Sequence, residues 1–292
     1  MRIRLFPALA PACLAALCLA PFFLSAAASA APQDSKQKTA DAAPKTSDAK
    51  TDERAAPKID EKAAAIVEHA VEAMGGRAYL DVRVVVSHGY FTQMNEKTGG
   101  LPVAFRDYQV FPDRERTEFK GAGVKRVEVY KGETGWVYDA RAKNLTDIKP
   151  EQLEDFRTAT RTSIDNVLRG WWRSEGATLS YLGRREAGLA RRNETVGLTY
   201  PDGFAVEFEF DAKEWLPSKA KYRRQNAEGE VVEEEDRYAQ FQTIGAVRVP
   251  FIVDHYRAGV QSSRVNYNAV EFNAQVPDSL FAKPADIKAI KF

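Results

Sequence analysis

Cysteine is nearly absent from this chain. Two of its 292 residues are cysteine, Cys13 and Cys18, and both fall within the first thirty. Beyond them no disulfide, thiolate nucleophile or cysteine metal site can form, so stability there must come from a core. Histidine is almost as scarce, with His69, His88 and His255 far apart. An excess of one charge is missing too: 42 Lys and Arg face 41 Asp and Glu, a formal net charge of +1. That balance gives no reason to expect nucleic acid as a partner. The sequence has no P-loop, GxSxG elbow, HExxH helix or dinucleotide fingerprint. Neither enzymatic activity nor a metal or other cofactor is therefore expected.

What is present begins with Arg2 and Arg4, an apolar run over Leu5–Leu24 and the small-x-small triplet Ala28-Ser29-Ala30. That is the pattern of a secretory signal, residues 1–30, cleaved near Ala30. Pro7, Pro11 and Pro21 argue against a retained membrane helix, and neither cysteine sits in a lipobox. Residues 31–57 contain no aromatic and no branched aliphatic side chain. Such a stretch buries too little surface to offset its ordering entropy, so it is expected to be a disordered linker.

The remaining chain, 58–292, carries periodic patterns. "DEKAAAIVEHAVEAMGG" places Ile66, Val67, Ala70, Val71 and Met74 on one helical face, with Asp60 as cap and Gly75-Gly76 as the stop. From Asp81 the period becomes two. In "FAVEFEF", Phe204, Val206, Phe208 and Phe210 share one side and Glu207 and Glu209 the other. Turn signals between such runs predict an antiparallel meander of about ten or eleven strands up to Phe272. One helical interruption starts at Pro150, has a capping-box pattern from Thr162 to Asp165, and carries the stripe Ile164, Val167, Leu168, Trp171 and Trp172. The expected fold is mostly β (α+β): a curved sheet with an N-terminal helix and a mid-chain helical segment over its concave face.

Two polar groups stand out. His255 shares strand parity with Val249, Phe251 and Val253 and reads as a hydrogen-bonded core or rim histidine rather than a catalytic one. "EVVEEEDR" lacks the spaced loop ligands calcium requires and reads as a solvated strand edge. The larger question concerns Trp136, Tyr138, Trp171 and Trp172. On composition they suit an ordinary core best, and they would also suit the wall of a cavity for an acyl chain.

"IVEHAVEAMGGRAYLDVRVVVSHGYF", "YKGETGWVYD", "FEFDAKEWLPSKAKYR" and "VRVPFIVDHY" followed by "FNAQVPDSLFAKP" resemble, in order and spacing, periplasmic proteins related to LolA, the outer-membrane lipoprotein carrier. The resemblance spans most of residues 59–287. It implies a half-open antiparallel β-barrel with a helical lid, a periplasmic location, and a cavity for lipid or lipoprotein acyl chains. Trp136 and Tyr138 would then form the concave wall facing Trp171 and Trp172 on the lid, with Leu168, Phe208 and Phe251 also touching ligand. Arg106 is the candidate for the family's lid-locking arginine. Related folds also act as sensors, which would imply a filled core and a membrane-associated protein partner.

Overall fold

The computed structural model describes residues 58–94, 100–226 and 229–292. The expected signal segment and linker, residues 1–57, lie outside the described residues.

The first helix, α1 (Glu61–Met74), forms where the apolar spacing predicts it. Asp60 accepts the backbone N–H of Ala63 at 2.9 Å, satisfying one orphan donor of the first turn. Gly75 ends the helix at φ 124°, where a Cβ would sit 2.3 Å from the Ala246 carbonyl oxygen. Only glycine allows that approach. A single turn, α2 (Arg77–Leu80), leads into the sheet.

Six strands follow: β1 (Val84–Gln93), β2 (Pro102–Val110), β3 (Arg114–Gly121), β4 (Val124–Lys131), β5 (Thr134–Asp139) and β6 (Asn144–Asp147). The chain then crosses over through α3 (Pro150–Thr162), α4 (Ile164–Arg169) and a 3-10 turn at Trp171–Arg173. Seven strands complete the fold: β7 (Thr178–Glu186), β8 (Arg192–Thr199), β9 (Ala205–Asp211), β10 (Pro217–Gln225), β11 (Val231–Ile244), β12 (Val247–Arg257) and β13 (Val260–Phe272). The strands form one antiparallel sheet in the order β6-β5-β4-β3-β2-β1-β13-β12-β11-β10-β9-β8-β7. Among the described residues, thirteen strands replace the expected ten or eleven. The signal was weak in β6, only four residues long, and in β3, where charged residues occupy both faces.

Because β1 pairs with β13, the sheet is continuous through its middle, and its free edges are β6 and β7. The helical crossover runs from one edge to the other. The β7 edge is partly covered: Lys58 and Asp60 each form a backbone hydrogen bond with Leu179. Register shifts between β1 and β13, β12 and β13, β7 and β8, and β9 and β10 bend the strands into the curved, half-open barrel. At the β1 bulge, a Cβ on Gly89 would lie 2.0 Å from the Asn266 carbonyl oxygen, so the strands close there only around glycine. The main apolar cluster lies between the sheet's inner face and the helices, with Ala63, Ala70, Val167, Trp172, Leu198 and Phe208 fully buried.

Candidate functional site

The helical crossover covers the inner face, and local sequence explains its shape. Ser163 adopts an extended conformation that separates α3 from α4, and its hydroxyl accepts the Asn166 N–H at 3.0 Å. The cap is thus Ser163, one residue beyond the expected Thr162. Gly170 at φ 73° ends α4 in the left-handed region. The turn after it carries Trp172 into the core, where it is fully buried and its indole N–H donates to the Val167 carbonyl at 3.3 Å.

Charged groups fasten this lid. The Arg169 side chain is only 5% exposed, and its Nε lies 2.7 Å from Asp165 Oδ1. Its Nη1 donates to the Leu80 and Val82 carbonyls at 3.3 and 3.0 Å, tying α4 to the segment before β1. The guanidinium stacks 4.4 Å from the Tyr79 ring and 4.6 Å from that of Phe111. Tyr79 donates its hydroxyl to Asp165 at 2.7 Å; burial, followed by the Asp165 charge, pushes that hydroxyl's pKa well up. Along α3, Phe156 stacks on Tyr130 at 4.5 Å, and Asp155 meets Arg224 of β10 at 3.0 Å. Arg161 reaches Asp202 at 2.6 Å and Glu175 at 2.7 Å. The lid is therefore attached to both ends of the sheet, by apolar stacking at β4 and by ion pairs at β10 and the β8–β9 turn.

Beneath the lid the two ends differ. From β8 to β13 the inner face is mainly apolar. In β2–β4 the register aligns Ser87, Asp107, Thr117 and Glu128 in one row, with Gln109 and Glu115 in the next, all buried. Burial, then the neighbouring Glu115 charge, raises the Asp107 pKa well above the carboxylate range, although Thr117 donates to it at 2.8 Å. Burial lifts Glu128 to about 7 despite the Arg126 guanidinium at 2.5 Å. Two small voids lie under the lid, about 30 Å³ beside Glu115 and Asp165 and about 20 Å³ beside Ile164 and Arg169. Each has room for about one water, far below the several hundred Å³ of a ligand pocket.

The site residues expected from sequence divide into three places. Leu168, Trp172, Phe208 and Phe251 meet in the main inner cluster. Trp171 lies half-buried at its margin, 5.3 Å from Phe111. Trp136 and Tyr138 do not face the lid. They project from the outer face and pack with Val127, Val129 and Phe281, under the C-terminal segment. Their expected place on the concave wall is corrected for a simple reason. Cross-strand register puts Val137, not its neighbours, opposite Glu128 on the inner side.

Arg106 also lies on the outer face, exposed, and locks no lid; Arg169 performs that fastening. The Asp165/Arg169 spacing of four was the available signal. His255 points inward as expected, its Nδ1 bonded to the Asp236 carboxylate. Ser263 lies directly across from His255, but neither its hydroxyl nor His255 Nε2 has a hydrogen-bond partner among the described residues. The acidic run falls in β11, an interior strand rather than the expected edge. Glu234 and Asp236 point inward, while Glu233 and Glu235 form outer ion pairs with Lys221 and Lys219.

An antiparallel half-barrel whose edges are bridged by a helical lid has known counterparts. A LolA superfamily protein from Nitrosomonas europaea aligns over 76% of this chain and 97% of its own, at TM-score 0.53 and 15% identity. The fold is LolA-like. A DUF1329 family protein from Desulfovibrio piger covers 76% of the chain and 98% of its own, at TM-score 0.57 and 13% identity. A protein described as an outer membrane lipoprotein-sorting domain, from Vibrio parahaemolyticus, covers 74% and 97%, at TM-score 0.51 and 11% identity. No family model and no curated protein matches the sequence. The LolA-like half-barrel therefore persists here at very low sequence identity, as is expected when apolar alternation rather than particular side chains specifies a sheet.

Proposed function

We propose that this protein is an exported, periplasmic carrier or binding protein for lipid or lipoprotein acyl chains, and that the inner face binds them once the lid lifts. The observation that carries this reading is the lid itself. Its apolar stripe fills the half-barrel as a ligand would, yet polar clasps at Arg169, Arg161 and Asp155 fasten it. An acyl chain replacing Leu168 and Trp172 would meet Phe208 and Phe251 in the same cluster. Burying about ten methylenes contributes roughly 8 kcal/mol, enough to offset breaking a few such clasps. The mechanism is non-covalent: the occupant competes with the lid for one apolar surface. The LolA-like fold and the N-terminal signal pattern, with cleavage near Ala30, support the carrier reading and the location.

The small inner voids favour a second reading, a sensor module with a permanently filled core that binds a membrane-associated protein. Native mass spectrometry of protein purified from periplasm without detergent separates the two. Lipid adducts that vanish on organic extraction are expected. A clean mass with no uptake of added fatty acid or lipopeptide would leave the filled-core module.

A further inference from the structure

The larger cavity is on the opposite side of the sheet. After β13 the chain returns across the outer face of β2–β5, and one buried arginine holds it at two places. Arg116 donates to the Leu280 carbonyl at 3.1 Å and to the Lys291 carbonyl at 3.0 Å, while its Nε binds Glu118 at 2.8 Å. The Trp136 indole N–H adds a third attachment, to the Phe281 carbonyl at 3.2 Å. Between these points the segment arches, and Ala282, Lys283, Lys288 and Ala289 are exposed. The arch encloses a cleft of about 430 Å³. That is the size of a small-molecule site.

The lining gives the chemistry. Tyr108, Trp136, Leu280, Ile290 and Phe292 supply aromatic and aliphatic surface. Arg106, Lys283 and Lys291 supply positive charge. Arg116 and Glu118 neutralise one another, and Lys283 is held by Asp147 at 2.7 Å. Arg106 and Lys291 have no side-chain partner among the described residues. A largely apolar cleft with two unpaired cations in its lining matches a carboxylate or sulfonate on a compact apolar body. We infer that this outer cleft binds a small amphipathic anion, at a site separate from the inner face under the lid.

The test uses the full chain labelled with nitrogen-15 and titrated with decanoate or anilinonaphthalene sulfonate. The indole N–H signals of Trp136 and Trp172 report the outer and inner faces separately, each assigned by its Trp→Phe variant. Saturable movement of the Trp136 signal is expected, at a midpoint independent of any movement of Trp172. Arg106→Glu, at an exposed position, should weaken binding about tenfold or more, the loss of one charge-assisted contact. Ala289→Trp, also exposed, should fill the cleft and abolish binding, and decylamine should not bind. No movement of Trp136 overturns the inference, as does unchanged affinity in both variants. Movement of Trp172 alone would overturn it while supporting acyl binding under the lid, so the two readings fail separately.

Discussion

The strands at the two ends of this sheet place most of their apolar residues on opposite sides. In β8–β10, Val196, Leu198, Val206, Phe208 and Ala220 face the helices, and the outer face carries ion pairs such as Arg185–Glu207 at 2.6 Å. In β4–β5, Val127, Val129, Trp136 and Tyr138 face outward, while Glu128 lies buried on the inner side. Both ends obey the same two-residue period. They differ in what covers them: helices α1 and α4 on one, the C-terminal segment on the other. Alternation commits a strand to having two faces, and a later part of the chain decides which becomes the core.

The sharpest way to break this comparison is to empty both cores. Phe208→Ala and Trp136→Ala should each cost about 3–5 kcal/mol in denaturant unfolding. Only Trp136→Ala should also expose residues 276–292 to protease. A cost below about 1 kcal/mol for Trp136→Ala would reduce the outer cluster to surface packing.

Removing the lid's central clasp comes next. Arg169→Ala leaves Asp165 and two carbonyls without their cation and should cost about 3 kcal/mol. Hydrogen exchange should accelerate over α4 and leave β4–β5 unchanged. Uniform acceleration would mean that the lid does not open as a unit.

The buried carboxylate sharpens the comparison through pH. Glu128 has a folded pKa of about 7, above its ordinary value of 4.5. Its contribution is therefore fully present below about pH 4.5 and is lost as pH rises through about 7, a change on the order of 3 kcal/mol. Asp107 shifts in the same direction, by burial and the Glu115 charge. Glu128→Gln should flatten part of this fall between pH 5 and 8, measured by unfolding at each pH. An unchanged slope would place the titration elsewhere. The smallest effect belongs to the exposed clasp: Asp202→Asn should cost less than about 1 kcal/mol, because Asp202 is 53% exposed and solvent screens its pair with Arg161.

Much of the frame was legible in the sequence. Asp60, Gly75 and the α1 stripe act through contacts within a few residues, and "FAVEFEF" names its own faces because its aromatic and acidic residues alternate. The strand count fell short at β6, only four residues long, and at β3, where charge on both faces removes the contrast that marks a strand. The candidate site was legible in part. Leu168, Trp172, Phe208 and Phe251 do converge, but Arg116, which shapes the outer cleft, grips carbonyls 164 and 175 residues away.

By itself, the sequence determined most of the segments that become strands, where helices start and stop, and which residues share a face, because those depend on near neighbours and backbone sterics. The tertiary structure alone decided that Trp136 and Tyr138 turn away from the lid. That choice depends on the closure of β1 on β13 and on the path of the last seventeen residues (276–292), which lie on the outer face of strands formed more than a hundred positions earlier.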